Sequence, residues 1–185
     1  MIIGITGGSG AGKSTASAFF RKNGYYIADT DKIGHSVILP GKNAYIELIN
    51  VFGNEILNND TTVNRKKLGS IVFSDPDKLK ELNRITHFYI TEDLKKIIKE
   101  NKNVAIDGAL LIESGISKMC DKVIFVSCPL EERIQRIIKR DGIKREDAVK
   151  RINNQSDDAF YRKNCDIEIV NDGKTNIENQ LEVLL

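Results

Sequence analysis

The sequence predicts an α/β fold, a parallel sheet covered on both faces by helices. Three observations carry that reading. Short apolar runs without alternation, the pattern of strands buried on both faces, stand at residues 2–6, 104–106 and 122–126. Between them lie longer stretches whose apolar residues recur at helical spacing. The first apolar run also leads directly into a glycine-rich segment, GGSGAGKS at Gly7 to Ser14, that opens a helical pattern.

Taken in order, residues 2–6 form a strand ended by glycines, and a helix follows from Lys13, with Ala16, Phe19 and Phe20 on one side and Gly24 placed to stop it. Residues 25–28 read as the second strand, at the length a right-handed crossover needs. Residues 43–57 and 78–101 read as helices, 104–106 and 122–126 as strands. Residues 130–140 form a helix with Ile134, Ile137 and Ile138 on one face. A last strand at 167–170 and a last helix at 176–185 complete a parallel five-stranded sheet in a three-layer fold. The stretch from 41 to 98 shows no strand and reads as a helical insertion, which either binds a second substrate or covers the sheet edge.

Composition narrows the class. A chain of 185 residues suits one domain, and 41% hydrophobic residues suffice for one core. A net charge of +2 gives no global field of the kind nucleic-acid binders use. Cys120, Cys128 and Cys165 have irregular spacing, which suggests neither a zinc site nor a disulfide framework and fits a reducing compartment. The opening MIIGIT lacks the basic segment and apolar core of a signal peptide, and no run approaches a membrane span. The expectation is a cytoplasmic protein, a monomer or weak oligomer, with no nucleic-acid or membrane partner.

The chemistry starts at the glycine-rich loop. Gly7, Gly12, Lys13 and Ser14 meet the spacing G-x-x-x-x-G-K-[ST]. Glycines let backbone N–H groups turn toward one anion, and the following helix N-terminus adds its partial positive charge. Lys13 then reaches the β- and γ-phosphates, and the Ser14 hydroxyl can hold Mg²⁺. A chance match in a chain this long is roughly one in a hundred, so the fold is read as that of a P-loop NTPase. Gly8, Gly10, Ala11, Gly12, Lys13, Ser14 and Thr15 become the candidate ATP-binding residues.

Carboxylates follow two predicted strands. Asp29 and Asp31 lie just past the second, where the strand ends of an open parallel sheet line the ligand crevice. Asp31 can accept a hydrogen bond from a substrate hydroxyl and take its proton, and Asp29 or Asp31 can equally be a helix N-cap or turn residue. Asp107 ends the third strand and can hold the Mg²⁺ shell through water, or can simply sit in a turn; Glu113 is a weaker candidate. Between Arg133 and Arg151 there are eight basic residues, with Arg133, Arg136 and Arg140 spaced along one helix face. Such a run is usually a solvated face. In a P-loop protein it also suits a mobile lid that brings one or two arginines to the transferring phosphoryl group, with Gly142 as its turn. His35 and His87 are the only histidines and share no metal-ligand spacing.

Assembled, these segments resemble the dephospho-CoA kinase family nearly end to end. The resemblance rests on ITGGSGAGKST at Ile5 to Thr15, on the D-x-D of Asp29 and Asp31, and on LGSIVFSDP at Leu68 to Pro76. It continues through His87, through D-x-x-L-L-x-E at Asp107 to Glu113, and through the RDG of Arg140 to Gly142. It closes with RI-x-x-Q at Arg151 to Gln155, with Asp166, and with the NDG of Asn171 to Gly173. The chain departs from the family pattern where prolines are usual, at Phe88 and Ala109, and at His35, Ile112 and Cys165.

The resemblance implies ATP as donor, Mg²⁺ as cofactor and the ribose 3′-hydroxyl of dephospho-CoA as acceptor. It implies Asp31 rather than Asp29 as base, and Arg140, itself counted among the ATP-binding residues, with Lys13 at the transition state. Acceptor binding falls to Asp31, His87, Asp107, Leu110 and Leu111. The implied organisation is a nucleotide-binding core of residues 1–40, 102–130 and 156–185, an acceptor-binding insertion at 41–101, and a lid at 131–155. A nucleoside monophosphate kinase is the nearest alternative, opposed by the D-x-x-L-L-x-E segment and the length of the insertion. A GTPase-like switch would carry N-K-x-D, and the nearest candidate, Asn101 to Val104, lacks the aspartate.

Overall fold

The computed structural model describes residues 1–185. In chain order its elements are β1 (Ile2–Thr6), α1 (Lys13–Lys22), β2 (Tyr26–Asp29), α2 (Thr30–Val37), α3 (Asn43–Phe52), α4 (Arg65–Val72) and α5 (Pro76–Glu100). They continue with β3 (Val104–Asp107), β4 (Lys122–Ser127), α6 (Leu130–Asp141), α7 (Arg145–Asn153), α8 (Asp158–Asn164), β5 (Ile167–Val170) and α9 (Ile177–Glu182). The strands form one sheet in the order β2-β3-β1-β4-β5. β1 pairs parallel with both β3 and β4, and β4 pairs parallel with β5. The glycine-rich loop therefore leaves the carboxyl end of the central strand. β2 does not lie beside β1, although it follows it in sequence: β3 inserts between them, and that choice of neighbour lies beyond what strand patterns reveal.

The chain divides into two compact units, one of residues 1–28 and 100–185, the other of residues 29–99. In the first, β1 reads as a strand because Ile3 and Ile5 are fully buried, and α1 covers them with Ala16, Phe19 and Phe20. Phe20 meets Phe19 and Tyr25 edge to face at 5.6 and 5.1 Å. Burying such a ring stabilises the fold by about 2–3 kcal/mol. A smaller cluster of Ile134, Ile137, Ala148 and Ile152 joins α6 to α7. Helix α6 stops at Gly142, whose left-handed backbone caps it at the position expected of the turn. All the cysteines are free, and burial pushes the Cys120 thiol up to about 12, so it stays protonated.

The second unit is helical, with a single isolated antiparallel bridge between Leu57 and Val63. Leu48, Ile56, Leu68, Val72, Ile85 and Leu94 are buried in it. Helix α5 begins two residues earlier than the sequence pattern suggests. Pro76 occupies its first position, which needs no N–H, and Asp75 Oδ1 accepts from the N–H groups of Asp77 and Lys78 at 3.0 and 3.2 Å. Helices α2 and α4 are short and have no long apolar period to announce them; asparagine and aspartate caps start both.

Candidate active site

The first unit contains a phosphate cradle. Helix α1 begins after Gly12, whose φ of 100° is open to glycine and strained for other residues. Gly12 has no side chain to cap the helix, and the first turn carries no acidic residue. The first-turn N–H groups of a helix lack intrahelical partners, so this end is built to receive an anion. Lys13 Nζ donates to the Gly7 carbonyl at 2.8 Å, folded over the loop it belongs to.

The outer side of the loop is held from remote parts of the chain. Arg133 Nε donates to Ser9 O at 3.0 Å. Arg136 donates to Ala11 O at 3.3 Å, Gly10 O at 3.4 Å and Asn171 O at 3.1 Å. Asn171 Nδ2 donates to Ala11 O at 2.8 Å, and Gln155 Oε1 accepts from Ser9 N–H at 2.8 Å and from Arg133 Nη2 at 3.4 Å. Donors thus occupy the carbonyls on one side. Arg133 lies so close that a Cβ at Gly8 would overlap its guanidinium.

Sequence alone places Arg133 and Arg136 on a basic helix face and assigns no role to Gln155 or Asn171. The i, i+3 spacing of the two arginines was the available signal, but it does not say what faces them. Arg140 lies in the last turn of the same helix and is turned elsewhere. It pairs with Asp141 through Nε–Oδ1 at 2.7 Å and Nη2–Oδ2 at 2.9 Å, and Arg151 also pairs with Asp141. Those hydrogen bonds, the ones from Arg140 first and then that from Arg151, hold the Asp141 carboxyl down at about 2. The remaining arginine of the run with a defined partner, Arg145, makes a two-pronged contact with Glu131 at 2.5 and 2.9 Å.

Asp107 ends β3 beside Ile5 of β1. Its Oδ2 accepts from the Ser17 hydroxyl at 2.6 Å, and Ser17 lies one helical turn beyond Ser14 on α1. Ser17 is buried and sequence reasoning did not select it. The bond fixes the carboxylate orientation, as an outer partner does for a metal-shell ligand. In the segment after β3, Leu110 is 59% exposed, while Leu111 is 1% exposed and closes over Gly4. Any part for Leu111 in acceptor binding is therefore indirect. Glu113 accepts from Ser156 Oγ at 2.8 Å.

The second unit holds the other candidates. Asp29 caps α2, accepting from Lys32 N–H at 3.0 Å. The cap falls to Asp29, which leaves the Asp31 carboxylate, in the first turn of the helix, unspent on capping. His87 is half-buried on α5, and burial lowers its pKa, so the imidazole is neutral at pH 7. His35 borders a separate hollow of about 230 Å³ with Ile38, Leu39, Thr62, Val63 and Arg65.

The dephospho-CoA kinase family model matches residues 1–176. The chain belongs to the dephospho-CoA kinase family. The dephospho-CoA kinase of Lactobacillus johnsonii is 39% identical over 189 residues, covering 99% of this chain and 96% of that protein. That of Fusobacterium nucleatum is 40% identical over 181 residues, with 97% and 92% covered. Among solved structures, a Thermus thermophilus protein superposes with a TM-score of 0.87 at 30% identity, covering 100% of this chain and 95% of its own. Dephospho-CoA kinase from Campylobacter jejuni gives 0.69 at 27% identity, covering 99% and 94%. Shikimate kinase from Bacteroides thetaiotaomicron, at 16% identity and 0.56, shares the fold alone. The family members and the five-stranded sheet bear out the P-loop NTPase fold expected from the sequence.

Proposed function

We propose that the chain transfers the γ-phosphoryl group of ATP to the ribose 3′-hydroxyl of dephospho-CoA, giving coenzyme A and ADP, the last step of coenzyme A biosynthesis. The observation that supports this best is the family match across residues 1–176 in a chain whose uncapped α1 begins at Lys13 and follows a buttressed glycine loop. Phosphoryl transfer has a loose transition state, so the protein's work is mainly positioning and charge stabilisation.

In this reading Gly8, Gly10, Ala11, Gly12, Lys13, Ser14 and Thr15 hold the triphosphate. The acceptor oxygen bonds to the γ-phosphorus while the bond to the β–γ bridging oxygen breaks, and the hydroxyl proton goes to Asp31. Arg140 leaves Asp141 to meet the charge on the transferring group. That exchange costs little, because the Arg140 side chain is 61% exposed and an exposed ion pair is worth about 0–1 kcal/mol. His87, Asp107 and Leu110 serve the acceptor, and Leu111 contributes indirectly through its packing over Gly4. The residues fit Mg²⁺: the Ser14 hydroxyl and the Asp107 carboxylate, the latter through water, are the hard oxygen donors it prefers, and it keeps its other positions for phosphate and water. When bound it neutralises charge on the β- and γ-phosphate oxygens. Within residues 131–155 the part around Arg140 and Gly142 moves as the lid while Arg133, Arg136 and Gln155 stay on the loop, and residues 41–101 act as the acceptor-binding insertion. The chain works in the cytoplasm on small molecules, as a monomer or weak oligomer. No helix is long and apolar enough to cross a membrane.

The test is ADP release with ATP and Mg²⁺ against dephospho-CoA, AMP, CMP and no acceptor. Turnover with dephospho-CoA alone is expected; its absence there, with turnover on AMP or CMP, would make the chain a nucleoside monophosphate kinase. In the same assay Asp31→Asn lowers kcat by about 10²-fold while ATP affinity stays within about twofold of wild type, as loss of a general base does. Unchanged turnover removes Asp31 from the base role.

A further inference from the structure

We propose that Gln155 is a positioning residue for nucleotide binding, fixing the Ser9 peptide so that the phosphate loop is shaped before its ligand arrives. The proposal rests on the reading of Gly7 to Ser14 as the ATP cradle, and not on the identity of the acceptor. Glycine permits the turns of a phosphate loop and by the same freedom leaves the loop without a defined shape. Gly7, Gly8, Gly10 and Gly12 supply that freedom on both sides of Ser9. Definition has to come from outside the loop.

Gln155 supplies it through one atom. Its Oε1 accepts from Ser9 N–H at 2.8 Å and from Arg133 Nη2 at 3.4 Å, while Arg133 Nε donates to Ser9 O at 3.0 Å. The peptide entering Ser9 and the peptide leaving it are therefore both held, and the two holders are bonded to each other. Rotating the entering peptide breaks the Gln155 bond, and rotating the leaving one breaks the Arg133 bond. Arg133 is 7% exposed, so the group that closes the triangle is itself fixed by burial. The amide stands just beyond α7, whose Ile152 packs against α6 in the small core shared by those helices. A neutral amide oxygen suits the place, since it accepts both donors without setting a negative charge beside the phosphates.

The experiment titrates adenosine, ADP and ATP with Mg²⁺ into the wild-type chain and Gln155→Met by calorimetry, with no acceptor present. Methionine keeps the bulk and removes the acceptor. One lost hydrogen bond to a loop donor corresponds to about a tenfold loss of affinity for ADP and ATP, with adenosine affinity and Tm near wild type. Wild-type affinity for ADP and ATP overturns the proposal, and so does an equal loss for adenosine, which would mark a general disturbance. If Gln155→Met does not fold, Gln155→Asn, one methylene too short to reach Ser9, is read on the same ladder. Because dephospho-CoA is absent, failure of the acceptor reading leaves this test intact.

Discussion

In the first two turns of α6, Arg133 and Arg136 are turned onto the phosphate loop, with Arg133 all but closed to solvent; in its last turn Arg140 lies 61% exposed against Asp141. One helix thus presents the same side chain to two environments. Arg133 has given up its water, so its bonds to Ser9 and Gln155 must persist for it to remain charged in place. Arg140 has kept its water, and its partner can be exchanged at little cost. The first is suited to building a site and the second to moving into one.

The sharpest way to break this contrast is Arg133→Ala. Removing a buried cation and its bonds to the loop should lower stability by about 2–4 kcal/mol, near 10 °C in Tm, and weaken ATP binding with it. A thermal scan showing an unchanged Tm would mean the residue is no more structural than Arg140. Arg140→Ala comes next: kcat falls about 10²-fold while Tm and the KM for ATP hold, if it acts only in the transition state. A change in KM alone would make it a ground-state binder. The smallest effect belongs to Asp141→Asn, which should leave Tm at neutral pH within about 1 °C of wild type. The Asp141 carboxyl is lowered from 3.8 to about 2 by Arg140 first and then Arg151. Its contribution is therefore present above the ordinary carboxyl range and lost as pH falls through about 2, so any difference between the two proteins should vanish across that window. A difference that grows on acidification would show that the pair is not what holds this carboxylate.

Much of the molecule was legible in order. The five strands, the loop and the helix it starts all follow from local patterns: apolar runs bounded by glycine, and a glycine spacing that chance rarely produces. The short helices α2, α4, α7 and α8 were not drawn out, since pieces of seven to nine residues carry too few apolar positions to show a period. Within the candidate site, Lys13, Ser14 and Asp107 are the residues that motif spacing and strand position single out from sequence alone. Ser17 is not singled out, because a buried serine on an apolar helix face has no sequence signature until its carboxylate partner is known.

What the sequence determined by itself was whatever neighbours in the chain decide: a backbone that must turn at Gly12, a lysine beside it, strands that must be buried. The tertiary structure decided which distant groups reach that backbone. Gln155, Asn171, Arg133 and Arg136 lie more than 120 residues from the loop atoms they hold. It also divided the work of Asp29 and Asp31, giving Asp29 the cap of α2. Local sequence fixes conformational freedom over a few residues. The hydrogen bonds that remove that freedom are chosen only when the sheet brings remote segments together.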